Sequence, residues 1–199
     1  QIGYFSLPVV GMTAIFTGMV LALQSYTGFA RFSGESAIAA VVVLSITREL
    51  GPVLAGLMVA GRIGSSMAAE IATMRVSEQI DALYTLETNP ISFLVVPRVI
   101  SSVIVLPILV IIADIIGVLG GYMVGVYKIG FNSVLYLEQT KTFLETQDVV
   151  LGLVKAFFFG LSIAILSCYA GYNAHNGAFG VGRATTNAVV SSSIVILLL

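Results

Sequence analysis

Charge is what this sequence has least of. Acidic and basic residues fill only 10% of its 199 positions while hydrophobic residues fill 58%, whereas an ordinary soluble domain carries roughly 25% charged residues. A mean hydropathy of +1.04 excludes a soluble globular fold. Nine basic and ten acidic residues leave a net charge of -1, so there is no basic field for nucleic acid and no acidic solvating tail. The single cysteine, Cys168, lies in an apolar run, which excludes an intrachain disulfide and reads as packing. The single histidine, His175, has no second ligand at a metal-binding spacing. No Gly-x-x-x-x-Gly-Lys-Ser/Thr loop occurs, so the chain does not bind ATP by that route. An intramembrane hydrolase would need a nucleophile with a base at membrane depth, and none is placed there. No catalytic residue, metal ligand or cofactor is therefore assigned.

Charge is also missing from the first thirty residues, so they lack the basic n-region of a signal peptide and read as a membrane span. Gln1 at the start and the apolar run up to Leu199 at the end make both termini look trimmed. A helix crosses about 30 Å of hydrocarbon with roughly 20 apolar residues. On that criterion five spans are predicted: within Ser6 to Ala30, then about Ser36 to Gly61, Val99 to Tyr127, Val150 to Tyr172, and Arg183 to Leu199. Backbone groups in lipid must be satisfied within the segment, and no alternating barrel pattern appears, so the expected fold is an all-α integral membrane protein, 1–199 forming one transmembrane domain.

The connections differ in kind. Arg31 to Glu35 reads as a short polar turn, Lys128 to Val149 as a longer loop with some helix, and the Gly- and Asn-rich stretch Tyr172 to Gly182 as irregular. The connection from Arg62 to Arg98 holds seven of the nineteen charged residues. In it Ser77 is placed to cap a short amphipathic helix, Glu78 to meet the helix dipole, and Ile80, Leu83 and Tyr84 to share one face until Asn89-Pro90 ends the segment. Arg62, Arg75, Arg98 and Arg183 fall on one side of the membrane and Arg31, Lys128, Lys141 and Lys155 on the other, so charge counting leaves the orientation open.

Within this apolar background Arg48 and Glu49 lie near the middle of the predicted second span, where one charge costs about 2.5 to 3.5 kcal/mol on insertion scales. Neighbours in a helix do not face each other, so each needs a further partner or water. Asp114, at similar depth in the third span, is the proposed partner of Arg48; a hydrated cavity facing both is the alternative, and an ion pair that only fixes helix register the structural one. Gly51-Pro52 follows and predicts a kink. Gly117, Gly121 and Gly125 mark a close helix contact with either this chain or a second copy. Lys155 reads as a snorkelling residue. The same charges could instead serve as the relay of an ion- or proton-coupled transporter, although no convincing inverted repeat is present.

Longer stretches carry a resemblance. Thr47-Arg48-Glu49-Leu50-Gly51-Pro52-Val53-Leu54-Ala55-Gly56, Ala60-Gly61-Arg62-Ile63-Gly64-Ser65 and Ala69-Glu70-Ile71-Ala72-Thr73-Met74-Arg75-Val76-Ser77-Glu78-Gln79-Ile80-Asp81-Ala82-Leu83 closely resemble the MlaE/YrbE permease family, as do Gly18 to Tyr26 and Gly182 to Thr186. The family's amphipathic helix before the first span and its complete fifth span are missing or cut here. The resemblance implies the inner-membrane permease subunit of an ATP-driven transporter of phospholipids between inner and outer membranes, maintaining outer-membrane lipid asymmetry. The implied partners are a second permease copy, a cytoplasmic ABC ATPase that alone uses ATP, a periplasmic MCE-domain protein and a small STAS-domain protein. The Arg62 to Arg98 connection becomes a cytoplasmic coupling element, with Glu70, Arg75, Glu78, Gln79 and Asp81 on the ATPase. The implied lipid cavity is lined by Leu23, Tyr26, Arg48, Glu49, Leu50 and Lys155.

Overall fold

The computed structural model describes residues 3, 6–29 and 35–199; of the predicted turn from Arg31 to Glu35, residues 31–34 lie outside them and Glu35 opens a helix. Every regular element among the described residues is helical. Nine α-helices follow in chain order: α1 (Leu7–Phe29), α2 (Glu35–Ser45), α3 (Gly51–Val59), α4 (Ser65–Val76), α5 (Gln79–Thr85), α6 (Val96–Met123), α7 (Ser133–Phe143), α8 (Thr146–Tyr172) and α9 (Gly177–Leu198). π-helical turns at Ile46–Leu50 and Ala60–Gly64 join α2, α3 and α4 without a break, and others lie at Ile91–Val95 and Val124–Ile129.

Five helical stretches are long and apolar enough to cross a membrane: Leu7–Gly28, Ala37–Val76, Ile91–Ile129, Thr146–Tyr172 and Gly177–Leu198. The number matches expectation, but the second and third are longer than a charge-free run suggests, at 40 and 39 residues. Charge is no barrier to a helix: past Arg62 the chain supplies Ala68, Ala69 and Ala72, strong helix formers, and stays helical to Val76. Since about 20 residues suffice to cross, half of that run is surplus to the hydrocarbon. Arg48 and Glu49 fall in the first third of the Ala37–Val76 helix.

Proline placement follows the same logic. Pro8 lies in the first turn of α1 and Pro90 caps the Ile91–Val95 turn, where a missing N–H is least disruptive; Pro52 and Pro97 follow π-helical turns and Pro107 is interior to α6, so each of these three removes a donor from a continuing helix.

The chain forms two compact units. One comprises Leu7–Ala55 and Ile108–Lys155. Its core is Ala22, Ile38, Ala39, Val42, Ile46, Val124, Phe131 and Tyr136, where α2 packs on α1 and α7. The glycine stripe of α6 makes this possible: Gly117 presents its carbonyl directly to Gly18 of α1, and a methyl on Gly121 would sit 2.6 Å from Val42. Two of its glycines thus meet helices of the same chain. Outside, Ile108, Ile111, Ile115, Leu119 and Met123 form an exposed stripe along α6, and Met12, Phe16 and Val20 another along α1. Such contiguous apolar surface suits hydrocarbon, not water. The predicted loop after Lys128 contains α7, capped by the Asn132 side chain, which accepts from Val134 N at 3.0 Å.

The other unit comprises Gly56–Pro107 and Ala156–Leu199, with Gly3 and Ser6. Here α4 packs on α9, with Ala72, Ala174 and Ala184 buried together, and Ile71, Ile80, Leu94 and Cys168 form a second cluster. Cys168 is a packing residue, as its surroundings in sequence suggest. The connection expected to be irregular from Tyr172 to Gly182 is helical again from Gly177. Ser77 does not cap α5. Its hydroxyl turns back to donate to Thr73 O at 2.7 Å, ending α4, and the reversal falls on Glu78 in the left-handed region at φ 59°. On α5 Ile80 is fully buried and Leu83 partly, but Tyr84 points outward at 54% exposure, so the expected apolar face is two residues wide.

Candidate functional site

The charged pair occupies a π-helical turn, and the adjoining proline explains why that turn is chemically open. Pro52 has no N–H to give Arg48 O, its acceptor four residues back. Lys155, from α8, takes that place: its Nζ donates to Arg48 O at 3.3 Å and, more strongly, to Glu49 Oε2 at 2.6 Å. Lys155 therefore does not snorkel away from the span; it is bound to both members of the pair.

Arg48 turns elsewhere. Its Nε lies 2.9 Å from Asp148 Oδ1. The Asp148 side chain is only 6% exposed, while that of Arg48 is 52% exposed. Asp148 stands in the first turn of α8, where unpaired backbone N–H groups favour a carboxylate, and the Arg48 guanidinium adds a counter-charge. The expected Arg48–Asp114 pair does not form. Asp114 Oδ1 is instead buried against Gly51, whose lack of a Cβ makes room for it, and has no hydrogen-bond partner among the described residues. Asp114 does reach the same turn, at Gly51, but the Arg48 side chain is held by Asp148 of α8 instead.

Three of these charges, Arg48, Glu49 and Lys155, line a half-open cleft of about 430 Å³ together with Leu44, Ser45 and Leu151, and Asp148 holds Arg48 from outside that lining. Of the predicted cavity residues, then, Arg48, Glu49 and Lys155 come together. Leu23 packs on the core of α1, α2 and α7; Tyr26 is set edge-on to Phe131 at 6.2 Å; Leu50 lines a separate apolar void of about 10 Å³ with Thr13, Thr17 and Ala113. Asp148, Leu44 and Leu151 were not foreseen. A signal existed: Asp148, Leu151 and Lys155 are spaced i, i+3, i+7, one helical face, once α8 is started at Thr146 rather than at the first uncharged residue.

A second group of charges surrounds α4 and α5. Glu70 pairs with Arg98 at 2.9 Å, and Arg98 also donates to Leu94 O at 3.0 Å, which ties the end of the second span to the start of the third. Arg75 pairs with Asp81 at 2.8 Å and lies over the Tyr172 ring, 5.8 Å from its centre, while the hydroxyls of Tyr84 and Tyr172 are 2.9 Å apart. Glu78 supplies the left-handed residue between the helices and Gln79 opens α5.

Comparison with known proteins fixes the class. The family model for Permease MlaE matches residues 1–199. The chain belongs to the MlaE permease family. A probable ABC transporter permease protein of Rickettsia felis is 69% identical over 197 residues, covering 99% of this chain and 76% of its own length. One from Synechocystis is 43% identical over 198 residues, covering 100% of this chain and 75% of its own, and one from Pyropia yezoensis 42% over 190 residues, covering 96% and 72%. This MlaE-family chain is thus an ABC transporter permease with several membrane spans. Its cleft offers salt-bridged charges beside apolar walls.

Proposed function

We propose that the chain is the inner-membrane permease subunit of an ATP-driven transporter that moves phospholipids between the inner and outer membranes and so maintains outer-membrane lipid asymmetry. The observation that carries this is the cleft at Arg48, Glu49 and Lys155, where a cluster of ions opens beside Leu44 and Leu151. A phospholipid has both requirements in one molecule, acyl chains that need apolar wall and a phosphate that needs cationic donors. Leu23, Tyr26 and Leu50, on neighbouring stretches of α1 and the π-helical turn, would meet the lipid beyond the cleft or after a change of shape.

No part of the chain hydrolyses ATP in this account. A cytoplasmic ABC ATPase would do so, docking on the region of Glu70, Arg75, Glu78, Gln79 and Asp81, and no cofactor is needed in the permease itself. The short α5, held to α4 by Arg75–Asp81, and the Glu70–Arg98 tie give such a partner a firm grip on the ends of two spans. A second permease copy, a periplasmic MCE-domain protein and a small STAS-domain protein complete the proposed assembly.

The test is transport by the complete assembly reconstituted in vesicles, with labelled phospholipid. Lipid transfer should require ATP and should fall at least tenfold in Glu49→Arg with assembly intact. Transfer driven equally well by a proton gradient without ATP, or wild-type rates in Glu49→Arg, would overturn the proposal.

A further inference from the structure

The ion cluster at the cleft has no net charge once Asp148, which pairs with Arg48 without lining the cleft, is counted. Arg48 and Lys155 contribute two positive charges, Glu49 and Asp148 two negative ones, and each ion is paired. That balance differs from a site built for an anion, where cations stand in excess. From it we propose that the cleft takes a zwitterionic headgroup bearing a primary ammonium beside its phosphate, of the phosphoethanolamine type, in preference to an anionic headgroup. The inference rests on the reading above that the cleft holds a phospholipid.

The free hydrogen-bonding capacity shows how such a headgroup would sit. Arg48 uses only its Nε on Asp148, so its Nη nitrogens, at the half-exposed end of the side chain, are left to donate. Lys155 has given two of its three protons, one to Glu49 and one to Arg48 O. Together these donors fit one phosphate. On the acidic side the two carboxylates are not equivalent. Asp148 is closed off at 6% exposure and serves to hold Arg48, whereas Glu49 is 65% exposed and spends one oxygen on Lys155. Glu49 is the acceptor available to an incoming ammonium.

Charge accounting then separates the lipid classes. An anionic headgroup that draws Lys155 away from Glu49 leaves a carboxylate facing a phosphate with no cation between them, in an apolar setting where an unpaired charge is costly. A zwitterion exchanges partners instead: phosphate takes Lys155 and Arg48, ammonium takes Glu49, and every charge keeps a counter-charge. The nature of the ammonium matters as well. A quaternary trimethylammonium has no N–H to donate and is recognised by aromatic cages, and the cleft has no aromatic lining. A primary ammonium can donate directly to Glu49.

The experiment equilibrates the assembled transporter with an equimolar mixture of phosphatidylethanolamine, phosphatidylcholine and phosphatidylglycerol, and quantifies the lipid that copurifies. The wild type should be enriched at least threefold in phosphatidylethanolamine over each of the other two. Glu49→Gln, which removes the carboxylate charge and leaves the cluster positive, should shift the preference to phosphatidylglycerol. Glu49→Gln with Lys155→Met restores neutrality without the counter-charge for the ammonium and should discriminate little. Bound lipid that mirrors the mixture, a wild-type preference for phosphatidylglycerol, or an unchanged ratio in Glu49→Gln would overturn the inference while leaving lipid binding in place. Absence of copurified lipid in all three proteins would instead remove the underlying reading.

Discussion

Lys155 Nζ donates to the main-chain carbonyl of Arg48, 3.3 Å away, the oxygen that Pro52 leaves without its α-helical donor. A proline that looks in sequence like a kink thus opens a backbone acceptor, and a lysine from another span occupies it. The Glu49 carboxylate, 2.6 Å from the same ammonium, makes the arrangement an ion cluster rather than a single bond.

The Arg48–Asp148 pair should respond unequally to its two halves. Arg48→Ala strands a carboxylate that is 6% exposed, whereas Asp148→Asn leaves a guanidinium that can turn to the open cleft. Breaking a fully buried pair costs roughly 3–5 kcal/mol; with one partner half exposed, about 2 kcal/mol is expected for Arg48→Ala. Asp148→Asn should cost less than about 1 kcal/mol. Thermal unfolding of the purified variants in nanodiscs measures both, and equal losses would contradict the geometry.

Two glycines of α1 should behave oppositely. A methyl on Gly18 runs into the Gly117 carbonyl, while one on Gly28 meets nothing within 4 Å. Gly18→Ala should lose roughly 1–3 kcal/mol through overpacking. Gly28→Ala should be neutral or stabilising by up to about 1 kcal/mol, since alanine is the better helix former. Detergent-resistance assays on the pair of variants would show it.

Tyr136 gives a signature at alkaline pH. Its hydroxyl is buried in the core of α2 and α7 without a partner among the described residues, and burial pushes the phenol up to about 12. The unfolded chain ionises near pH 10, so between pH 10 and about 12 the folded protein holds a proton that the unfolded chain has lost, and stability falls as pH rises through that window. Tyr136→Phe should remove this part of the alkaline loss and, by deleting an unsatisfied buried hydroxyl, stabilise by about 1 kcal/mol at neutral pH. Denaturation profiles of both proteins across the window decide the matter.

The Glu70–Arg98 tie should matter more for function than for stability. Glu70 is 60% exposed, so Glu70→Gln is expected to change unfolding by less than about 1 kcal/mol. If the tie carries ATPase movement to the spans, the same variant should lower lipid transfer per ATP hydrolysed severalfold. Unaltered coupling would show that the bridge only braces the helices.

Much of this was legible in the chain. Long apolar runs without charge announced five spans, because water-free hydrocarbon leaves a helix no alternative. The stripe of Gly117 and Gly121 announced a close helix contact, and Arg48-Glu49 beside Gly51-Pro52 announced an exception in need of partners. The partners themselves were harder to read. Asp148 lies exactly one hundred residues beyond Arg48, and counting uncharged residues placed it in a loop, although a carboxylate in the first turn of a helix is favoured by that helix. The same counting stopped the second span at Gly61, although the helix runs on to Val76, and similar depth alone suggested Asp114, which meets the turn at Gly51 and not at Arg48. Ser77 illustrates a local ambiguity: a serine can open the next helix or bond back to the last, and the alanine-rich run before it decided for the latter.

The central claim is that a phospholipid occupies the cleft between Arg48, Glu49 and Lys155 during transport. A photoreactive residue at Leu151, on the wall of the cleft, tests it most directly when compared with one at Ile115, on the exposed stripe of α6. In the working transporter, phospholipid adducts at Leu151 should change with ATP turnover and be lost in Glu49→Arg, while those at Ile115 change with neither. Adducts at Leu151 that are indifferent to both ATP and Glu49→Arg, like those at Ile115, would contradict the account.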